Sequence, residues 1–169
     1  PCLSSNCCLK NADHAAENET EITSYIELAK KLGAAFIRIL ADQDVAPNGE
    51  VDDTAIIAQL QHLAPIAEQA GVTLLVETNG VYSDTGRLRA LLDQVASDSV
   101  AALWDLHHPF RIQGEQPEQT VQNLGAYIKY VHVKDSVMTD HGIEYRMMGE
   151  GDLPFDECIM GLRSINYDG

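Results

Sequence analysis

Four short apolar runs mark the chain, and stretches with helical spacing separate them. Residues 34–40, 72–76, 100–104 and 127–133 are near-continuous in apolar and β-branched side chains. Such runs predict parallel strands covered on both faces. Weaker strand signals lie at 1–5 and 144–148. Between them, 18–32 places Ile22, Tyr25, Ile26, Leu28, Ala29 and Leu32 on one helical stripe, and Gly33 stops it. Residues 52–70 repeat the scheme with Ile56, Ile57, Leu60, Leu63, Ile66 and Ala67 ahead of Gly71. Pro65 is expected to bend or interrupt that helix. Residues 85–95 and 117–126 predict two shorter helices. The last, 154–162, carries Asp156 and Glu157 near its positive N-terminal end. Residues 42–49 read as a loop, and Gly149-Glu150-Gly151-Asp152 as a turn.

Strand alternating with helix predicts an α/β domain built on a parallel sheet. No linker or low-complexity tract divides the 169 residues, so one domain is expected. Neither a GxGxxG nor a Walker A loop follows any strand, which counts against a nucleotide-binding doubly wound fold. The chain is 45% hydrophobic and 22% charged, a composition that excludes disorder. Its net charge is −15, with no basic run beyond Lys30-Lys31, which argues against a nucleic-acid partner. No apolar run approaches the ~20 residues of a membrane-spanning helix. Cys2, Cys7, Cys8 and Cys158 form neither a CxxC nor a Cys/His zinc pattern. Reduced thiols in a cytoplasmic protein are the expectation.

The chemistry lies where the apolar runs end. The first finishes near Arg38 and Asp42, and the second in Glu77-Thr78-Asn79. The third finishes in Asp105-Leu106-His107-His108, and the fourth in His132, Lys134 and Asp135. Each has an ordinary reading. Glu77 suits a solvated loop, Asp105 a helix cap, and His132 a buried structural imidazole. The argument for a site is their coincidence. Three successive strand ends supply Glu, Asp and His, and barrel enzymes assemble their sites at the C-terminal ends of several strands.

These residues also carry a resemblance. Leu75-Val76-Glu77-Thr78-Asn79, Trp104-Asp105-Leu106-His107-His108-Pro109, Val131-His132-Val133-Lys134-Asp135 and Gly149-Glu150-Gly151-Asp152 together resemble the sugar isomerase/epimerase family of xylose isomerase-like TIM (β/α)₈ barrels, which includes ketose 3-epimerases and inosose dehydratases. The resemblance implies a divalent cation on Glu77, Asp105 and His132. It implies that Glu77 also transfers a proton and that His108, rather than His107, meets substrate. Arg146, Asn79 and Lys134 are the implied substrate-binding residues. Oxygen-rich ligation with one imidazole suits Mn²⁺ or Mg²⁺, with Co²⁺ or Zn²⁺ as alternatives.

The family pattern adds a second glutamate on an eighth strand, so a fourth ligand is expected after Gly169. A complete barrel takes about 250 residues. Six middle strands, lacking the first and eighth, are therefore expected here, with open edges at strands two and seven. The implied activity is metal-dependent isomerisation or epimerisation of a ketose or related polyol ketone through an enediolate. Dehydration on the same scaffold and a non-catalytic sugar-binding barrel are the alternatives. An abasic-site endonuclease would need further histidines at the earlier strand ends, where Ser4-Ser5-Asn6 and Leu40-Ala41-Asp42 stand. The expected partner is a small sugar, with self-association open and no nucleic acid or membrane.

Overall fold

The computed structural model describes residues 1–44 and 50–169. The sheet is built from β1 (Cys2–Cys8), β2 (Phe36–Leu40), β3 (Thr73–Glu77), β4 (Val100–Asp105) and β5 (Ile128–His132). All neighbours pair parallel, in chain order. The crossovers are α1 (Ala15–Leu32), α2 (Asp53–Ala70), α3 (Thr85–Val95), and the pair α4 (His107–Gln113) and α5 (Pro117–Leu124). Of the loop read at 42–49, residues 45–49 lie outside the described residues.

The caps follow from the sequence. Gly33 and Gly71 take the left-handed conformation at φ 66° and 67° and end α1 and α2. The Asp52 carboxylate caps α2 by accepting from the Thr54 and Ala55 amides. Helix α2 is not interrupted at Pro65. A proline removes one backbone bond. The buried stripe Ile56, Leu60, Leu63, Ala64 and Ala67 holds the helix on the sheet regardless.

Side chains alternate across the sheet along β3 and β4, and a register shift opposite Ala102–Leu103 puts Ile128 of β5 on the helix side and Tyr130 on the other. Ile37, Ile39, Leu74, Val76, Val100, Ala102 and Trp104 face the helices and form the main core. Leu75, Ala101 and Leu103 face the other way and pack with Cys2, Phe36 and Tyr130. The rings of Phe36 on β2 and Tyr130 on β5 lie 6.1 Å apart, although two strands separate them. A flat sheet would set those strands about 14 Å apart. The sheet is therefore curled like a barrel wall, with this second cluster inside the curve. Arg38, Glu77, Asp105 and His132 fall on the same inner parity, each two residues nearer the C-terminal end than Phe36, Leu75, Leu103 and Tyr130.

The segment read as a strand at 144–148 does not extend the parallel sheet. It is β7 (Gly142–Arg146), paired antiparallel with β6 (Asp135–Thr139) in a separate hairpin. Its apolar residues are largely exposed, Tyr145 at 57%, so they signal a strand without a place in the sheet. Five parallel strands, not six, are present among the described residues, and the edges are β1 and β5. Helix α6 (Phe155–Ser164) follows the hairpin and packs on α5.

Candidate metal centre

Glu77, Asp105 and His132 are the last residues of β3, β4 and β5. Glu77 lies in register with Leu103, and Asp105 with His132. Parallel pairing on a curled sheet thus delivers two carboxylates and one imidazole to one end of the inner face. Their ligand atoms all lie within 4.8 Å of one another. Ligands sharing an ion at bonds of about 2.1 Å sit roughly 3–4 Å apart, so a small contraction brings these three to coordination distance.

Glu77 is 2% exposed and wholly bonded. Arg38 Nε donates to its Oε2, and the same guanidinium gives Nη1 to the Ser5 carbonyl at 3.0 Å. His132 Nδ1 stands 3.3 Å from Oε1. Burial pushes the Glu77 carboxyl up. The His132 hydrogen bond and the Arg38 charge outweigh it and hold the group well below the usual carboxylate range.

Asp105 is fully buried. Its backbone amide donates to Thr78 Oγ1 at 2.9 Å, which ties the two strand ends together. Its Oδ1 accepts the His107 amide at 3.0 Å, at the start of α4. The cap reading of Asp105 therefore holds for one oxygen. Its Oδ2 has no hydrogen-bond partner. Lys134 Nζ approaches it to 2.6 Å as an ion pair, but off hydrogen-bond geometry. A buried carboxylate oxygen without a hydrogen bond is costly unless something else takes it. The donor set, one imidazole nitrogen and two carboxylate oxygens, fits a hard or borderline divalent cation.

His108 and Lys134 border this cluster. His108 Nδ1 lies 3.0 Å from the Thr78 carbonyl, which only accepts, so Nδ1 carries the proton. Its Nε2 faces Lys134 Nζ at 2.9 Å. Burial, reinforced by the Lys134 charge, keeps His108 below the ordinary imidazole pKa despite nearby Asp105. His107 turns elsewhere. Its Nε2 lies 3.0 Å from Ser136 Oγ and its ring stacks on Tyr145 at 5.4 Å. Asp105, His107 and His108 form a second potential ligand triplet, and the Lys134 ammonium already lies against two of its members.

The remaining sequence candidates behave differently. The Asn79 side chain accepts from the Gly80 amide at 2.9 Å and caps the turn Gly80–Ser83. Arg146 is exposed on β7 and pairs with Glu144 at 2.6 Å, not with the cluster. Asp135 was singled out only within its motif, yet it organises the Gly149–Asp152 turn. Its Oδ2 accepts the Gly149 and Gly151 amides, both at 2.8 Å. A Cβ on Gly151 would lie 2.0 Å from Asp135 Oδ1, so only glycine fits there. Sequence reasoning missed Arg38 as the partner of Glu77. Its one signal was a cation inside an apolar run, two residues before that strand ends. Thr78 as the strap on Asp105 had no signal beyond adjacency to Glu77.

A family model for the xylose isomerase-like TIM barrel matches residues 2–169. The chain belongs to that family. Among curated proteins, the uncharacterised protein MJ1311 of Methanocaldococcus jannaschii is 29% identical over 117 residues, 65% of this chain and 39% of its own length. A xylose isomerase-like TIM barrel protein from Mycobacterium smegmatis, in complex with magnesium, aligns with TM-score 0.82 at 18% identity, covering 99% of this chain and 63% of that one. A D-allulose 3-epimerase from Methylomonas sp., in complex with D-allulose, aligns with TM-score 0.79 at 18% identity, covering 98% and 60%. At these identities the structural likeness shows the fold. The chain spans 39% of the curated relative and less than two thirds of each of these two structures, and five parallel strands fit a segment of the family's barrel.

Proposed function

We propose that this chain carries the metal-binding half of a sugar isomerase or epimerase acting on a ketose or related polyol ketone. The observation that supports it most is the convergence of Glu77, Asp105 and His132, the last residues of three adjacent strands, whose ligand atoms lie within 4.8 Å of one another at one end of the curled sheet. The magnesium and D-allulose in the two structural relatives agree with a divalent cation and a ketose ligand.

Glu77, Asp105 and His132 would hold the ion, Mn²⁺ or Mg²⁺ by ligand chemistry. Once bound, the ion supplies Lewis acidity to a carbonyl and its neighbouring hydroxyl. Glu77 stays ionised beside that position and is the proposed carrier of the proton on the adjacent carbon. His108 and Lys134 present a neutral imidazole and an ammonium at the rim of the cluster, where they would hold substrate oxygens. Leu75, Ala101 and Leu103, with partly buried Tyr130, line the inner face beneath the site.

The test is solvent deuterium incorporation into a panel of ketoses, followed by NMR, with Mn²⁺ or Mg²⁺ added. Exchange next to the carbonyl, lost on Glu77→Gln, is the expected result. Metal uptake without exchange on any ketose would favour a binding role instead.

A further inference from the structure

The two carboxylates of the cluster share a feature that ligand identity alone does not require. Each has one oxygen committed to a fixed donor. Glu77 Oε2 is taken by Arg38 Nε, and that guanidinium is itself anchored on the Ser5 carbonyl. Asp105 Oδ1 is taken by the His107 backbone amide. The other oxygens face side chains at the cluster: Glu77 Oε1 lies 3.3 Å from His132 Nδ1, and Asp105 Oδ2 lies 2.6 Å from Lys134 Nζ as an ion pair without hydrogen-bond geometry. Both carboxylates are at most 2% exposed, so water cannot readily replace either donor.

We infer that Arg38 is a metal-selectivity residue: by holding Glu77 Oε2 it forces one-oxygen ligation, and with the His107 amide on Asp105 it tunes the centre toward small octahedral cations and against Ca²⁺. The physical reason is coordination number. Ca²⁺ takes six to eight oxygens and commonly draws both oxygens of a carboxylate. Mg²⁺ and similar small ions demand about six ligands in near-octahedral array, one oxygen from each carboxylate. A centre whose carboxylates each keep one oxygen on a fixed donor and turn only the other toward the cluster meets the second demand and starves the first. Arg38 does not reach the ion in this scheme. It acts through Glu77, as a positioning residue.

The inference rests on the metal-centre reading proposed above, and the experiment separates the two. Free Mn²⁺ is followed by electron paramagnetic resonance while the purified protein takes it up, and Ca²⁺ is then titrated in as competitor. Wild type, Arg38→Met and Arg38→Lys are compared, with folding checked by circular dichroism because Arg38 also ties β2 to Ser5. Arg38→Met should narrow the preference for Mn²⁺ over Ca²⁺ by about tenfold, the weight of one additional ion contact of ~1.4 kcal/mol. Arg38→Lys keeps a donor and should retain most of the preference. The ratio, not the affinity, is the readout, since removing a nearby positive charge strengthens binding of both ions. An independent reading uses wild type alone. The splitting between carboxylate stretches in the infrared difference spectrum on Mn²⁺ uptake should be the wide one of single-oxygen ligation. A protein that binds Mn²⁺ with a ratio unmoved by Arg38→Met, or with the narrow splitting of two-oxygen ligation, overturns the inference and leaves the metal centre standing. A wild type that binds neither ion overturns both.

Discussion

His108 Nδ1 donates to the Thr78 carbonyl at 3.0 Å, so its other nitrogen is turned toward Lys134 and the Asp105 carboxylate. The adjacent His107 points to Ser136 and Tyr145. Two consecutive histidines therefore have separable roles. His108→Ala should lower turnover about 100-fold, the usual weight of a positioned acid–base or oxyanion-stabilising group. His107→Ala should leave turnover within about tenfold but destabilise the fold by roughly 1–3 kcal/mol, because Ser136 and Arg111 lose a buried neighbour. Steady-state kinetics and urea denaturation of both variants check this. Equal kinetic losses would contradict it.

The same burial sets a pH dependence. Loss of hydration, followed by the charges of His108, Lys134 and Arg111 against the opposing pull of Asp105, lowers the His107 pKa from 6.5 to about 4. The unfolded chain therefore binds more protons than the folded one between those values. His107 thus supports the fold fully above pH 6.5, and that support drains as pH falls toward 4. Unfolding free energies of wild type and His107→Gln should converge between pH 7 and pH 4.5. A difference that stays constant or widens on acidification would show that His107 is charged in the fold.

The turn at Gly149–Asp152 offers a steric test. Gly151→Ala would drive its methyl into the Asp135 carboxylate and should cost about 1–3 kcal/mol by overpacking. Gly149→Ala meets nothing within 4 Å, and only its φ of 85° is strained, so about 1 kcal/mol is expected. Denaturation midpoints rank the two. The reverse order would remove Asp135 as the organiser of this turn.

Much of the fold was legible because buried parallel strands write themselves as unbroken apolar runs. The ends of β3, β4 and β5 could be read residue by residue, and Glu77, Asp105 and His132 do converge. The rest depended on which segment pairs with which. The segment at 144–148 has the composition of a strand, but only its antiparallel pairing with Asp135–Thr139 shows that it leaves the sheet. The Arg38–Glu77 pair needs β2 and β3 in register. Arg146 lies on the hairpin, which sets it against Glu144. Pro65 does not interrupt α2, since the local cost of one lost bond is smaller than the packing of the whole α2 stripe.

The cysteines give a prediction independent of the site. All four are free thiols. Burial, with some help from Glu21 and Cys8, pushes the Cys7 thiol up to about 12, and burial with Glu157 does the same to Cys158. Cys2 and Cys8 are only half-buried. Iodoacetamide at pH 8 should label Cys2 and Cys8 first, with Cys7 and Cys158 modified only after denaturation. Mass spectrometry of the native protein reads this directly.

Asp105 is the fully buried member of the Glu77–Asp105–His132 cluster, so a metal centre there must weaken in Asp105→Asn. Calorimetric titration of Mn²⁺ into wild type and the variant should show one site in wild type and an affinity at least about tenfold weaker in Asp105→Asn, since a charged ligand is lost. Unchanged affinity and stoichiometry in the variant would contradict a metal centre on Glu77, Asp105 and His132.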